Sequence, residues 1–181
     1  MTIAIKPTAS GSTIEQDGST ILSVDSSGNI TPSNQMYPKV PAFNVSLSAD
    51  QSISSGVFTK VAFDNVKFDT NSYWDATNYR YTPQVAGYYQ FNATIRNRAN
   101  GNLSNSIGSF FKNGSEYNRL SGSQIATLGQ IHGPSGGMVV YLNGSTDYVE
   151  VYGQNSTSTN NRFGGSGGGV VTVFSGVLVS V

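Results

Sequence analysis

An antiparallel all-β sandwich or barrel is the fold class this sequence predicts, and three observations predict it. Apolar residues recur at period two in segment after segment, turn-forming Gly, Asn, Asp and Ser stand between those segments, and no window carries the 3.6-residue period of an amphipathic helix. About eight to ten short strands can be marked in this way, which suits a sandwich or barrel without deciding its topology.

Residues 1–40 are thin in large apolar side chains and rich in Ser, Thr, Gly and Asp, with GSTI at Gly11–Ile14 echoed at Gly18–Ile21. Ile21, Leu22, Val24 and Ile30 flank the turn sequence Asp25–Asn29 and suggest short strands. Such a segment cannot make its own core, so it either packs on copies of itself or on a partner, or stays a flexible tail. Pro32, Pro38 and Pro41 then mark a boundary, giving an extended polar arm over 1–40 and a head over 41–181.

In the head, Phe43, Val45 and Leu47 alternate with polar residues, and Val57, Thr59, Val61 and Phe63 predict a second strand after a Ser/Gly break. The cleanest alternation is GYYQFNATIRNR, with Tyr89, Phe91, Ala93 and Ile95 on a core face and Tyr88, Gln90, Asn92, Thr94 and Arg96 on the other. Asn113-Gly114 predicts a two-residue type I′ hairpin that would set Phe110 opposite Tyr117. Met138–Leu142 and Tyr148–Tyr152 predict a second hairpin over Asn143–Asp147, with Val149 and Val151 inward. Residues 97–106 and 153–169 read as long polar loops.

The last stretch, Gly167–Val181, is apolar at nearly every position after Val170. Val171, Val173, Val177 and Val179 fall on one face of a strand, Val170, Phe174 and Leu178 on the other, so both faces call for cover. One domain supplies one core, and the second face needs a second partner. Which face serves which is open.

Charge and cysteine content narrow the function classes. Charged residues are only 11% of the 181, ten Lys+Arg against ten Asp+Glu, so no basic field would draw nucleic acid. Cysteine is absent, which excludes disulfides and thiolate metal sites. Met1–Thr13 has no continuous apolar region of the Sec type, and the C-terminal run of about 12 residues is short of the roughly 20 a membrane helix needs, so neither a signal peptide nor membrane insertion is expected.

Residues 41–181 resemble the globular head of complement component 1 subcomponent q, a tumour-necrosis-factor-like jelly roll. The resemblance is carried by PAFNV at Pro41, VAFDNVKFD at Val61–Asp69, YWDATNYRYTPQVAGYYQF at Tyr73–Phe91, KNG at Lys112–Gly114 and FSGVLV at Phe174–Val179. It implies a ten-strand jelly roll assembled as a homotrimer, with Tyr89, Phe91, Val171, Val173, Phe174, Val177, Leu178 and Val179 as candidate core or threefold-axis residues. The sequence departs from the family at Gly144–Asp147 and lacks an acidic cluster for calcium, so neither a metal nor a cofactor is expected. It also lacks a collagen-like stem. Instead GSTILSVDSSGNITPSN is similar to connector sequences of bacteriophage tail and fibre proteins, which implies a virion protein whose arm docks to another virion protein.

Catalytic chemistry has little support. His132, the only histidine, lies in a Gly/Pro-rich turn that suits neither a triad nor a two-histidine metal site, and Asp64, Asp69 and Asp75 are the nearest set of carboxylates for glycoside hydrolysis. GGSGGG at Gly164–Gly169 lacks the Lys-Ser/Thr of a phosphate loop. Binding is the better expectation. Tyr152, Asn155, Asn160, Asn161, Arg162 and Phe163 combine polar and aromatic groups in the manner of adaptable binding loops, and Trp74 offers either a sugar platform or a packed core indole. Two functions follow as expectations: a non-enzymatic fibre or spike head that attaches a phage to host-surface glycan or protein, or a purely architectural decoration or collar protein.

Overall fold

The computed structural model describes residues 3–9, 11–17, 19–32, 40–98, 105–122, 133–156, 160–165 and 172–181, all of them in strands, turns or irregular chain. The chain divides into two compact units, Met1–Pro38 and Lys39–Val181.

The first unit is an antiparallel meander of β1 (Ile3–Thr8), β2 (Gly11–Gln16), β3 (Ser19–Asp25) and β4 (Ile30–Pro32), hydrogen-bonded in that order. The expected turn at Asp25–Asn29 is held by the Asp25 carboxylate, which accepts hydrogen bonds from the backbone N–H groups of Ser27 and Asn29 and from Asn29 Nδ2, at 2.8–2.9 Å. A short acidic side chain can cap the backbone N–H groups a few residues on, and so closes a turn locally. The short strands expected within the arm are four paired strands.

The second unit contains fourteen strands among its described residues, six of them only two residues long. They are β5 (Ala42–Ser46), β6 (Gln51–Ser52), β7 (Thr59–Lys60), β8 (Asn65–Asp69), β9 (Trp74–Asp75), β10 (Arg80–Tyr81), β11 (Gly87–Thr94), β12 (Asn97–Arg98), β13 (Asn105–Lys112), β14 (Ser115–Arg119), β15 (Ser135–Leu142), β16 (Val149–Ser156), β17 (Arg162–Phe163) and β18 (Val173–Ser180). One sheet runs β15-β11-β18-β5-β8; the other runs β14-β13-β16-β10-β9, with β7 also on β16; a small ribbon, β12-β17-β6, closes one end. Every pairing is antiparallel.

The inward residues of the two sheets make one core, and it is aromatic. Phe43, Tyr89, Phe91 and Phe174 from the first sheet meet Tyr81, Phe110, Val149 and Val151 from the second, all essentially inaccessible to solvent. Phe43 stacks on Tyr81 at 4.1 Å between centroids and meets the edge of Phe174 at 4.9 Å. The expected alternation of Tyr89, Phe91, Ala93 and Ile95 is therefore the inner face of β11 and its continuation, and Val149 and Val151 do point inward.

Several local expectations are corrected. Of Val57–Phe63 only Thr59–Lys60 joins a ladder; Val61 and Phe63 are buried from irregular chain, and Val57 is exposed. Alternation reports which side chains face the core, not whether the backbone has a strand partner. The Asn113-Gly114 turn forms as expected, at φ 52° and 79°, with Lys112 opposite Ser115. A bulge then makes Tyr117 an extra residue, so Phe110 lies opposite Asn118; Phe110 goes to the core and Tyr117 to solvent. β15 and β16 do not form a hairpin, because β15 pairs with β11 and β16 with β13. The Asn143–Asp147 loop instead crosses between sheets, its backbone N–H groups at Ser145, Thr146 and Asp147 donating to Asn143 Oδ1 at 3.0 Å. The polar segments 97–106 and 153–169 are partly strand, holding β12, β17 and the ends of β13 and β16.

Candidate interaction surfaces of the head

β18 pairs with β11 on one side and β5 on the other, so it is a central strand. Leu178 and Gly176 lie opposite Tyr89 and Phe91, which turns the Phe174, Gly176 and Leu178 face inward and the Val173, Ser175, Val177 and Val179 face outward. Val171 is outside the described residues.

The outward face belongs to a larger surface. Tyr88 lies opposite Tyr141, their rings edge to face at 5.5 Å, and Gln90 sits between Val139 and Val177. Val179 and, from β8, Phe68 enlarge the patch, with exposures from 37% at Val177 to 57% at Val139. The strands β5, β11, β15 and β18 carry no charged residue at all. A contiguous apolar face without charge has the composition of the buried centre of a protein interface.

A different chemistry stands at one end of the head. Ala42 pairs with Val177, and Pro41 O accepts from Leu178 N–H, so the chain enters and leaves the head at the same end. Ser46, Thr94 and Val173 mark the opposite, distal end, and beyond them the β12-β17-β6 ribbon brings together Asp50, Arg96, Arg98 and Arg162. Arg98 and Arg162 are directly opposite each other on β12 and β17, an arrangement that like charges disfavour. Asp50 holds them: its Oδ2 is 2.8 Å from Arg162 Nε and 3.2 Å from Arg98 Nη1, and its Oδ1 accepts from Gly165 N–H at 2.8 Å. Burial alone would raise the Asp50 pKa, but the Gly165 N–H and the two guanidinium groups outweigh it and hold the carboxyl below its ordinary value.

The aliphatic stems of Arg96 and Arg98 lie side by side over Gly164, where a β-carbon would come within 3.1–3.2 Å of both. Arg96 Nε is shielded from solvent and makes no hydrogen bond among the described residues. Asp50 thus pairs with Arg98 and Arg162, while Arg96 lies beside Arg98 without a carboxylate of its own among the described residues.

The sequence-nominated loop residues separate into two groups. Asn160 is exposed, and half-buried Asn161 and Arg162 lie beside it at the distal end; the Asn161 carbonyl accepts from Ile53 N–H at 3.0 Å. Phe163 is buried against Gly153, and Asn155 is buried with its Nδ2 donating to Arg162 O at 3.4 Å, so both are supports rather than ligand-facing groups. Tyr152 is on strand β16, stacked on Phe111 at 4.1 Å. Beside it Lys60 pairs with buried Glu150 at 2.5 Å; burial would lower the Lys60 pKa, but Glu150 outweighs this and raises it. Trp74 packs on Phe43, Phe63 and Phe174 with centroids 5.7–6.3 Å apart, which corrects the platform expectation in favour of the core. Period-two alternation could have separated buried Asn155 from its half-buried neighbours Gln154 and Ser156 had Gly153–Ser156 been recognised as strand. Arg96 and Arg98 carried no signal beyond their i, i+2 spacing.

Of the residues weighed for catalysis, His132 is outside the described residues. Each carboxylate serves the backbone: Asp69 accepts from Trp74 N–H at 2.7 Å and Asp75 from Asn78 N–H at 3.0 Å, both in local turns, while Asp64 ties in Ser48, whose N–H it accepts at 2.7 Å. Among the described residues no group of three or more His, Asp or Glu is placed to hold a metal.

The comparisons agree with this architecture. The head is similar in structure to the globular domain of zebrafish complement 1qA protein, with a TM-score of 0.53 at 18% identity, covering 77% of this chain and 97% of that one. It is similar also to murine APRIL, with a TM-score of 0.52 at 14% identity, covering 77% and 99%. At these identities the likeness shows the fold, a jelly roll of the C1q and tumour-necrosis-factor type. No curated protein sequence matches the chain. The C1q domain model matches residues 42–179, most of the sequence and nearly all of the head, and the chain belongs to the C1q domain family.

Proposed function

We propose that this chain is a homotrimeric, non-enzymatic virion protein of a bacteriophage, located on the particle, whose head attaches to an anionic glycan on the host surface. The observation that carries the binding part is the distal cluster. Arg98 and Arg162 share the carboxylate of Asp50, and Arg96 lies beside Arg98 over Gly164, at the end of the head opposite Pro41 and Val181. Guanidinium groups present paired donors that match a carboxylate or phosphate, so three of them beside one carboxylate favour an acidic sugar over a neutral one. Asn160 and Asn161 beside them supply donors and acceptors for sugar hydroxyls.

Trimerisation is supported by the uncharged outer face of β15, β11, β18 and β5, which leaves Tyr88, Tyr141, Val139, Val177 and Val179 in water in a single copy. Light scattering on the full chain is expected to return three times its 19.2 kDa mass; a monomer overturns this part. The bacteriophage part rests on the connector-like sequence of residues 18–34 and is tested by immunogold labelling of particles.

For attachment, the purified protein is titrated with acidic and neutral envelope polysaccharides. Saturable, salt-sensitive binding of the acidic ones that is lost in Arg96→Gln/Arg98→Gln is expected. No saturable binding to any of them, together with normal particle assembly, would overturn attachment and favour a purely architectural protein.

A further inference from the structure

The N-terminal sheet has two unlike faces, and the strand register shows which is which. Ile5, Ile14, Leu22 and Pro32 form one row across the four strands, and Pro7, Ser12, Val24 and Ile30 form the next row on the same face. The opposite face carries Lys6, Thr13, Glu15, Ser23 and Thr31, with Lys6 Nζ 2.5 Å from Glu15 Oε2. An amphipathic sheet of this kind ordinarily lays its apolar face on a core. Here none of the described residues of the unit is buried, and Ile3, Ile5 and Ile30 are 62–72% exposed.

Such a unit cannot stand alone. About 30 residues in a single layer fall below the roughly 40 at which a domain without disulfide, metal or oligomerisation becomes stable, and this chain has no cysteine. The size of the face identifies what covers it. Four strands about 4.8 Å apart and about six residues long present a face of roughly 400 Å². A partner arriving from solution ordinarily needs about 800 Å² on each side. A patch half that size is sufficient only for partners already held nearby, and other copies of this chain, tethered through their heads, meet at an effective concentration in the millimolar range. The rows carry no charge that would select an unlike partner.

We propose that the apolar face of residues 3–32 is covered by the same face of the other copies in the assembled protein, so that the sheets close around a shared apolar core as a stem. The Lys6–Glu15 face then lies outward. This rests on the trimeric reading of the head.

The absence of native cysteine allows a unique spin label at Leu22→Cys on the inner face and at Ser23→Cys on the outer face of the full-length protein. With light scattering giving a trimer, the Leu22 label is expected to be immobilised and to lose line height through dipolar broadening, recovered when chains are refolded with an excess of unlabelled protein. The Ser23 label stays mobile and unbroadened. A trimer whose Leu22 label is as mobile as the Ser23 label overturns the stem and leaves the head trimer standing. A trimer whose Leu22 label is immobile but unbroadened overturns it too, since something other than a second copy then covers the face. A monomer overturns the trimeric reading itself. Val24→Cys, in the neighbouring row, repeats the measurement if Leu22→Cys disturbs folding.

Discussion

The ring of Phe91 lies across Gly176: a β-carbon at position 176 would stand 2.5 Å from Phe91 Cδ1 and 2.8 Å from Phe43 Cε1. The glycine of the terminal Phe174-Ser175-Gly176 sequence is thus a clearance for two core rings on the strands flanking β18. Gly176→Ala is expected to lower unfolding free energy by about 1–3 kcal/mol through overpacking, read as a lower urea midpoint with an unchanged slope.

The two faces of β18 give opposite phenotypes. Phe174 is enclosed by Phe43, Phe63, Trp74, Phe91 and Phe110. Phe174→Asp places an unpaired carboxylate there, and no folded protein is expected by circular dichroism. Val177→Asp faces water in a single copy, so the protein folds but the particle mass in light scattering falls to that of one chain.

Tyr81 is fully buried, and its hydroxyl has no hydrogen-bond partner among the described residues, whereas the Tyr89 hydroxyl donates to Val85 O at 2.8 Å. Tyr81→Phe removes an unsatisfied polar group and is expected to raise stability by about 1 kcal/mol. Burial, helped by neighbouring Tyr89 and Asp69, pushes the Tyr81 pKa far up, and burial pushes Tyr89 up to about 12. Unfolded tyrosine titrates near 10. Both folded values are raised, so the stability from these groups is complete below pH about 10 and is lost as the pH rises through and above it. Urea midpoints should decline there, and less steeply in Tyr81→Phe.

Acid acts through the opposite sign. Asp50, Asp64, Asp75 and Asp147 all have lowered pKa values, each accepting hydrogen bonds in the fold. Their contribution is present above the unfolded value near 3.8 and is lost as the pH falls below it through the lower folded values. Asp50→Asn keeps the shape but leaves Arg98 and Arg162 facing each other without a carboxylate. Its urea midpoint is expected to be lower at neutral pH and to change less than the wild type's below pH about 4.

Much of the head was legible because period-two alternation is a local consequence of the pleat. Phe43, Val45, Tyr89, Phe91, Val149 and Val151 could be assigned inward from spacing, and Asn113-Gly114 could be assigned to a tight turn because few residues tolerate positive φ. The candidate site was less legible. Phe163 and Asn155 read as loop residues because nothing in Gly153–Ser156 alternates strongly, and the convergence of Arg96, Arg98, Arg162 and Asp50 spans more than a hundred positions of chain.

The sequence by itself determined that the chain is all-β, that a polar N-terminal segment precedes a head of sandwich or barrel class, and that both faces of the last strand need cover. Local periodicity, turn chemistry and a missing charge are sufficient for those conclusions. Tertiary structure alone decided that Phe174 faces the core and Val177 faces outward, that β15 and β16 belong to different sheets, and that residues 3–32 form a sheet with one bare apolar face. Each of these depends on strand partners far apart in sequence, and a one-residue difference in register inverts every side chain, which no local pattern can specify.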